Sequence, residues 1–139
     1  MTATRPVAAL LLPLLFALPV SAEPDAKLPP IKKLTDVKPK RSVFRVAKRG
    51  KPLVIRTTKE AAEHFAKDDL AQLTKQVDFK QQFVLLFAWR GSGGDRLKYD
   101  VAESFPEQVM FHLKPGRTRD LRSHIHVYVL RSNVKWKVK

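Results

Sequence analysis

The chain has no cysteine and is short of acidic residues: 13 Asp and Glu stand against 27 Lys and Arg in 139 residues. The absence of cysteine excludes a disulfide scaffold, a thiolate zinc site, a cysteine nucleophile and a lipid anchor on cysteine. The shortage of acids leaves a formal net charge of +14. Such a charge predicts an anionic partner, with a merely solvated basic surface as the alternative. Hydrophobic residues make up 44% of the chain, which is typical of one globular domain.

The longest apolar run near the start is too short to cross a bilayer. Residues 7–20 are apolar and follow Arg5, and Val20-Ser21-Ala22 offers compact residues before a cleavage point. A spanning helix needs about 20 apolar residues, whereas this arrangement is typical of a secretory signal peptide. We therefore expect residues 1–22 to be removed, the product to be periplasmic or extracellular, and no membrane span. Export also separates the chain from cytosolic nucleic acid, so no physiological nucleic-acid partner is expected.

The next segment, residues 23–41, is rich in proline and lysine. Prolines interrupt it and its positive charges repel one another, which predicts an extended, mobile, basic linker. From residue 42 the pattern becomes that of a folded domain, residues 42–139. Short apolar segments predict strands at 43–46, 53–56, 83–89, 97–102, 109–113, 124–130 and 134–138.

A helical region is predicted between the second and third of these strands. Thr57 and Glu60 have the spacing of a capping box, and apolar residues at helical period follow over 58–77, with a break near Lys67 and Asp68 or Asp69 as the second cap. We therefore expect an α+β domain with a mainly antiparallel sheet and one or two short helices packed on one face.

Three histidines and a methionine suggest a metal site. His124 and His126 lie two residues apart on a predicted strand, so their side chains share a face, as do Met110 and His112 on the preceding strand. If these strands formed a hairpin, the four side chains would meet, and imidazole with thioether would suit copper, or imidazole alone zinc. The alternative is that the histidines are structural, because the register across the intervening loop is not set by the sequence.

Two loops contain arginines and glycines. Residues 91–94 read Gly-Ser-Gly-Gly, which lacks the spacing of a phosphate-binding loop and favours a hairpin turn with glycines at positive φ. If this turn and the loop after Pro115 share one end of the sheet, five guanidinium groups would surround an anion or an acidic partner, with Asp120 pairing with one arginine of its own loop. These arginines are Arg90, Arg96, Arg117, Arg119 and Arg122.

The sequence does not match the motifs of known enzyme active sites. Ser92 lies between glycines but not in the pattern of a nucleophile elbow, and the segment after it alternates as a strand rather than opening a helix. The paired acids, Asp68 with Asp69 and Asp100 with Glu103, lie on predicted solvated faces of short elements. No catalytic residue is therefore assigned.

The layout over about residues 53–138 resembles the C-terminal domain of PrcB-type protease-complex proteins. The corresponding pieces are Val77-Asp78-Phe79, the apolar run at 83–89, and Ser92-Gly93-Gly94, although Asp95 stands where that family would have an aromatic residue. The resemblance implies an accessory domain that stabilises a partner protein and transfers no catalytic residue.

The sequence thus predicts an exported, non-enzymatic binding or accessory domain. Its basic linker and arginine-bearing loops would contact an acidic protein or an anionic cell-envelope polymer, without a cofactor. The alternative is a periplasmic protein that binds copper or zinc through the His-x-His strand.

Overall fold

The structure is a computed structural model that describes residues 28–139. The predicted signal peptide and the beginning of the predicted linker lie outside the described residues. In chain order the elements are β1 (Ile31–Leu34), α1 (Val43–Val46), β2 (Leu53–Ile55), α2 (Thr58–His64), α3 (Lys67–Gln76), β3 (Gln82–Ser92), β4 (Arg96–Ala102), β5 (Gln108–Lys114), β6 (Leu121–Arg131) and β7 (Lys135–Val138).

The strands form two sheets. The first has the order β1-β6-β3-β2 and is antiparallel throughout, and the second has the order β4-β5-β7. Within the second sheet β4 and β5 are antiparallel, whereas β5 and β7 are parallel. The predicted α+β class with a mainly antiparallel sheet is confirmed, and the division into two sheets is a feature that the sequence pattern did not predict.

Strand β3 is central because its side chains are apolar on both faces. Val84 and Leu86 point toward the helices, and Leu85 and Phe87 point toward the second sheet. Strand β6 pairs with β3 along its whole length, from Gln82 opposite Arg131 to Ser92 opposite Leu121. The first sheet is therefore the middle of three layers, with one hydrophobic core on each side.

The helices cover one face of the first sheet, as predicted. The Thr57 side chain accepts a hydrogen bond from the Glu60 N–H at 3.1 Å, and Glu60 Oε2 accepts one from the Arg56 N–H at 2.8 Å. This local capping explains why α2 begins where it does. The break comes at residues 65–66, where Phe65 is buried, and Ala66 rather than an aspartate is the N-cap of α3. None of the helices within residues 28–139 has the length and apolar character to cross a membrane.

Two local predictions are wrong. Residues 31–34, assigned to a mobile linker, form β1 and pair with β6, and the side chains of Ile31, Leu34 and Val37 are buried. Burial of these apolar side chains thus orders the segment despite the surrounding lysines, because the distant strand β6 provides a pairing partner. Residues 43–46, predicted as a strand, form the short helix α1, since burial of Val43 against the helix-side core decides the local conformation over β propensity.

Candidate anion-binding surface

The two arginine-bearing loops meet at one end of the sandwich, as the sequence suggested. The Gly93 N–H donates to Asp120 Oδ1 at 3.0 Å, and the Gly94 N–H donates to the Thr118 hydroxyl at 3.2 Å. The hydroxyls of Ser92 and Thr118 lie 2.6 Å apart. We call this region, made of residues 91–96 at the β3–β4 turn and residues 115–122 at the β5–β6 loop, the arginine end.

A buried carboxylate holds the arginine end together. Asp95 is only 3% exposed, and its Oδ1 accepts hydrogen bonds from the Gly116 N–H at 2.7 Å and from Arg49 Nη2 at 3.2 Å. Its Oδ2 accepts from the indole Nε1 of Trp89 at 2.9 Å. The Gly116 N–H, with help from Trp89 and Arg49, lowers the pKa of Asp95 below its usual value although burial opposes this. Asp95 therefore remains ionised and ties three segments of the chain together.

Glycine is required here by crowding rather than by backbone conformation. Among the five glycines only Gly50 has a positive φ, at 70°, so the predicted positive φ in the 91–94 turn is wrong. A Cβ on Gly116 would instead lie 2.3 Å from the carbonyl carbon of Gly94, and one on Gly93 would lie 2.5 Å from Asp120 Oδ2. The two loops can approach this closely only because these positions lack side chains.

The predicted arginines differ in how they are held. Arg96 donates from Nη1 to the carbonyl oxygens of Gly93 and Asp95, at 3.0 and 2.9 Å, and Arg122 Nε donates to Asp120 Oδ2 at 2.9 Å. The pairing of Asp120 with an arginine near its own loop is thus confirmed. The Thr118 hydroxyl, followed by Arg122 and the Gly93 N–H, holds the pKa of Asp120 well below its usual range.

Arg117 and Arg119 remain available at this end. Both are exposed, and within residues 28–139 neither side chain has a hydrogen bond or a carboxylate partner. The exposed Leu121 begins the next strand beside them. The loop backbone that carries them is fixed through Gly116, Thr118 and Asp120, so these two guanidinium groups extend from an ordered base.

Arg90 does not join this group. It is paired with Ser123 in the β3–β6 ladder, one position before the pair of Gly91 and Arg122, so the side chains of Arg90 and Arg122 leave opposite faces of the sheet. The Arg90 guanidinium carbon lies 5.6 Å from the ring centre of Phe44 in α1. The structure therefore divides the five predicted arginines into four at the arginine end and one on the helix side.

The predicted metal ligands are not brought together. Strands β5 and β6 belong to different sheets, so the expected hairpin between them is wrong. Val109 and Phe111 fill the core between the sheets, which turns Met110 and His112 outward, where His112 Nε2 lies 2.9 Å from Asp100 Oδ2. Within residues 28–139 there is no cluster of three or more His, Asp or Glu residues suited to a metal ion.

His124 and His126 instead stack on an aromatic side chain. Their ring centres lie 4.8 and 5.5 Å from that of Trp89, with nearly parallel planes. His124 Nε2 donates to the Ser92 carbonyl oxygen at 2.7 Å, whereas the buried Nδ1 of His126 has no partner among the described residues. Burial, and then the positive charges of Lys33 and His124, lower the pKa of His126 to about 4. His126 is thus packed as a neutral ring against Trp89.

Sequence patterns missed two residues of this region, Asp95 and Arg49. An aspartate after a glycine pair looks like an ordinary turn residue, and its burial depends on Gly116, which is 21 positions away. No family model, no curated protein and no solved structure matches the chain. Function is therefore inferred from the geometry of the described residues.

Proposed function

We propose that the protein is an exported, non-enzymatic accessory domain that binds an acidic protein through its arginine end. The observation that supports this most directly is the pair of exposed arginines, Arg117 and Arg119, on a loop whose backbone is fixed at Gly116, Thr118 and Asp120. A fixed base reduces the conformational entropy lost when the loop binds a partner. Arginine is also suited to carboxylates, because its planar guanidinium group can donate two parallel hydrogen bonds.

A neighbouring apolar side chain favours a protein over a polymer. Leu121 is 70% exposed directly after the loop. Protein interfaces combine arginine with a desolvated apolar centre. An anionic polysaccharide has few apolar groups that could pack against an exposed leucine. The arginine end thus has both kinds of group within a few residues of the chain.

The charge balance at this end supports binding of anions. Its two carboxylates are engaged within the protein, Asp95 by Trp89 and Gly116, and Asp120 by Arg122 and Gly93. The positive charges of Arg117 and Arg119 are therefore not cancelled locally. An accessory role of this kind is also what the resemblance to the PrcB-type C-terminal domain implies.

The proposal is tested with acidic polymers as probes. A random copolymer of glutamate and tyrosine represents an acidic protein surface, and alginate represents an anionic polysaccharide. We expect the purified protein to bind the copolymer more tightly than alginate at low salt, with an affinity that falls as salt is raised. Fluorescence anisotropy with labelled probes measures both.

A double variant, Arg117→Gln with Arg119→Gln, locates the surface. We expect it to lose about tenfold in affinity for the copolymer, which corresponds to about 1.4 kcal/mol. The matched control, Lys32→Gln with Lys59→Gln, removes the same charge from exposed positions on β1 and α2 and should change affinity less than about threefold. Equal losses in the two variants would show that only net charge matters, and preferred binding of alginate would favour the envelope polymer.

A further inference from the structure

A second group of basic side chains surrounds a cleft on the helix side of the first sheet. The cleft lies where α1 packs near the end of β3 and has a volume of about 450 Å³. Its lining consists of Arg41, Ser42, Phe44, Arg45 and Arg90. Only Arg90 was singled out from the sequence, and its position over the Phe44 ring places it here rather than with the loop arginines.

The fold sets this group of arginines around the short helix α1. Burial of Val43 anchors α1 to the helix-side core. Arg41, which precedes the N-cap, and Arg45 within α1 both line the cleft. The Ser42 side chain, although at the N-cap, makes no capping hydrogen bond.

The positive charges of the cleft are not balanced by the protein. Arg41, Arg45 and Arg90 are exposed, and none of them has a carboxylate partner within residues 28–139. Three guanidinium groups around one cleft match a dianion with three terminal oxygens better than a carboxylate with a single charge and two oxygens. The phosphate group is the common biological anion with that charge and shape.

The size and lining of the cleft point to more than a free anion. Its volume is within the range of small-molecule sites, about 300–1,000 Å³. A phosphate group held by the arginines would leave room for an attached organic group, for which the half-buried Phe44 ring provides an apolar surface and the Ser42 hydroxyl a hydrogen-bonding group.

We propose that the cleft formed by Arg41, Arg45 and Arg90 binds a small organic phosphate, a phosphate monoester of about the size of a sugar phosphate. This site goes beyond the proposed protein-binding function, because it lies on the opposite face of the sheet from Arg122 and uses neither Arg117 nor Arg119. Either site can exist without the other.

Calorimetric titration of the purified protein at low salt tests the proposal. The probes are glucose 6-phosphate, inorganic phosphate, gluconate and glucose. We expect glucose 6-phosphate to bind more tightly than inorganic phosphate, inorganic phosphate more tightly than gluconate, and glucose not to bind. Equal binding of the first two would overturn the assignment of an organic group, and gluconate binding as well as phosphate would overturn the assignment of a dianion. No heat with glucose 6-phosphate up to 1 mM, on the scale of weak binding, would overturn the site itself.

Single substitutions locate the site. Arg45→Gln and Arg90→Gln are each expected to weaken binding of glucose 6-phosphate about tenfold or more, equivalent to the loss of one charge-assisted hydrogen bond. Lys59→Gln, at an exposed position of α2 outside both sites, is the matched control and should leave it unchanged. If all three variants weakened binding to a similar degree, the phosphate would be attracted by the net positive charge of the protein and not bound at a defined site. The copolymer titrations with the Arg117 and Arg119 double variant are independent of this result, so failure of one proposal is distinguishable from failure of the other.

Discussion

The indole N–H of Trp89 donates a hydrogen bond of 2.9 Å to the carboxylate of Asp95, six residues further along the chain. The bond joins the last buried residue of β3 to the turn that leads into the second sheet. Because Asp95 also accepts from the Gly116 N–H and from Arg49, one carboxylate connects the β3–β4 turn, the β5–β6 loop and the segment before β2. The arginine end is ordered by this connection.

Replacing Asp95 by asparagine is expected to lower the free energy of unfolding by about 2–3 kcal/mol. The substitution removes a buried charge that accepts three hydrogen bonds and turns an amide N–H₂ toward a donor. Urea denaturation followed by circular dichroism measures the loss.

Asp100→Asn is the control for this experiment. Asp100 is highly exposed and faces His112, so the change should cost less than about 0.5 kcal/mol. Equal midpoints for the Asp95 and Asp100 variants would contradict the role given to Asp95.

Gly116→Ala is expected to be more harmful than Gly50→Ala. The first would place a Cβ 2.3 Å from the backbone of Gly94 and force the loops apart, at about 2–3 kcal/mol. The second places a Cβ in ordinary van der Waals contact with Leu113, at 3.9 Å from Cδ2, but at a φ of 70°, which costs about 1 kcal/mol. The melting temperatures of the two variants measure this difference. A lower melting temperature for Gly50→Ala than for Gly116→Ala would mean that the loops can move apart at little cost.

Leu34→Ala tests whether residues 31–34 belong to the fold. Leu34 is 4% exposed and packs in the helix-side core, so its truncation should cost about 2–4 kcal/mol. Lys32→Ala on the same strand is exposed and should cost less than about 0.5 kcal/mol. The denaturation midpoints of the two variants are compared, provided that the free energy of unfolding depends equally on denaturant concentration in both. Similar midpoints would restore the interpretation of this segment as a linker.

Acid should destabilise the protein through His126. Its folded pKa is lowered from 6.5 to about 4, so below pH 6.5 the unfolded chain binds a proton that the folded one does not. The contribution of His126 to the free energy of unfolding is therefore fully present above pH 6.5. It falls as the pH drops toward 4, by about 1–2 kcal/mol after allowance for partial solvent exposure. Asp95, whose pKa is lowered from 3.8, acts only at lower pH.

His126→Phe separates this effect from other titrations. The variant keeps an aromatic ring beside Trp89 and removes the titrating group, so stability between pH 6.5 and 4 should become flatter. An unchanged slope in His126→Phe would assign the acid sensitivity to another group.

Local patterns predicted the elements whose structure is decided locally. The apolar run at 83–89 predicted the strand β3, and Thr57 with Glu60 predicted the start of α2. Strand β1 was missed because its partner, β6, lies far away in the sequence, with Leu34 opposite Val127 and Ile31 opposite Leu130. The parallel pairing of β5 with β7 was not predicted for the same reason, since no local pattern encodes which strands become neighbours.

The candidate site was predictable only in part. Glycine and arginine in two loops indicated that the loops could meet, and they do so around Gly93, Gly94 and Gly116. The burial of Asp95 and the placement of Arg90 beside Phe44 depend on tertiary contacts. The same is true of the histidines, whose separation from Met110 follows from strand pairing.

The order of strands in the first sheet also constrains when the protein can fold during synthesis. Strand β6 separates β1 from β3 in the sheet, and it leaves the ribosome after β1 to β5. Until it emerges, the apolar faces of β1 and β3 lack their main partner, and only the short pairing of β2 with β3 is available. Pairings between distant segments also form slowly. The first sheet therefore cannot close until β6 has been synthesised, whereas β4 can pair with β5 before that point.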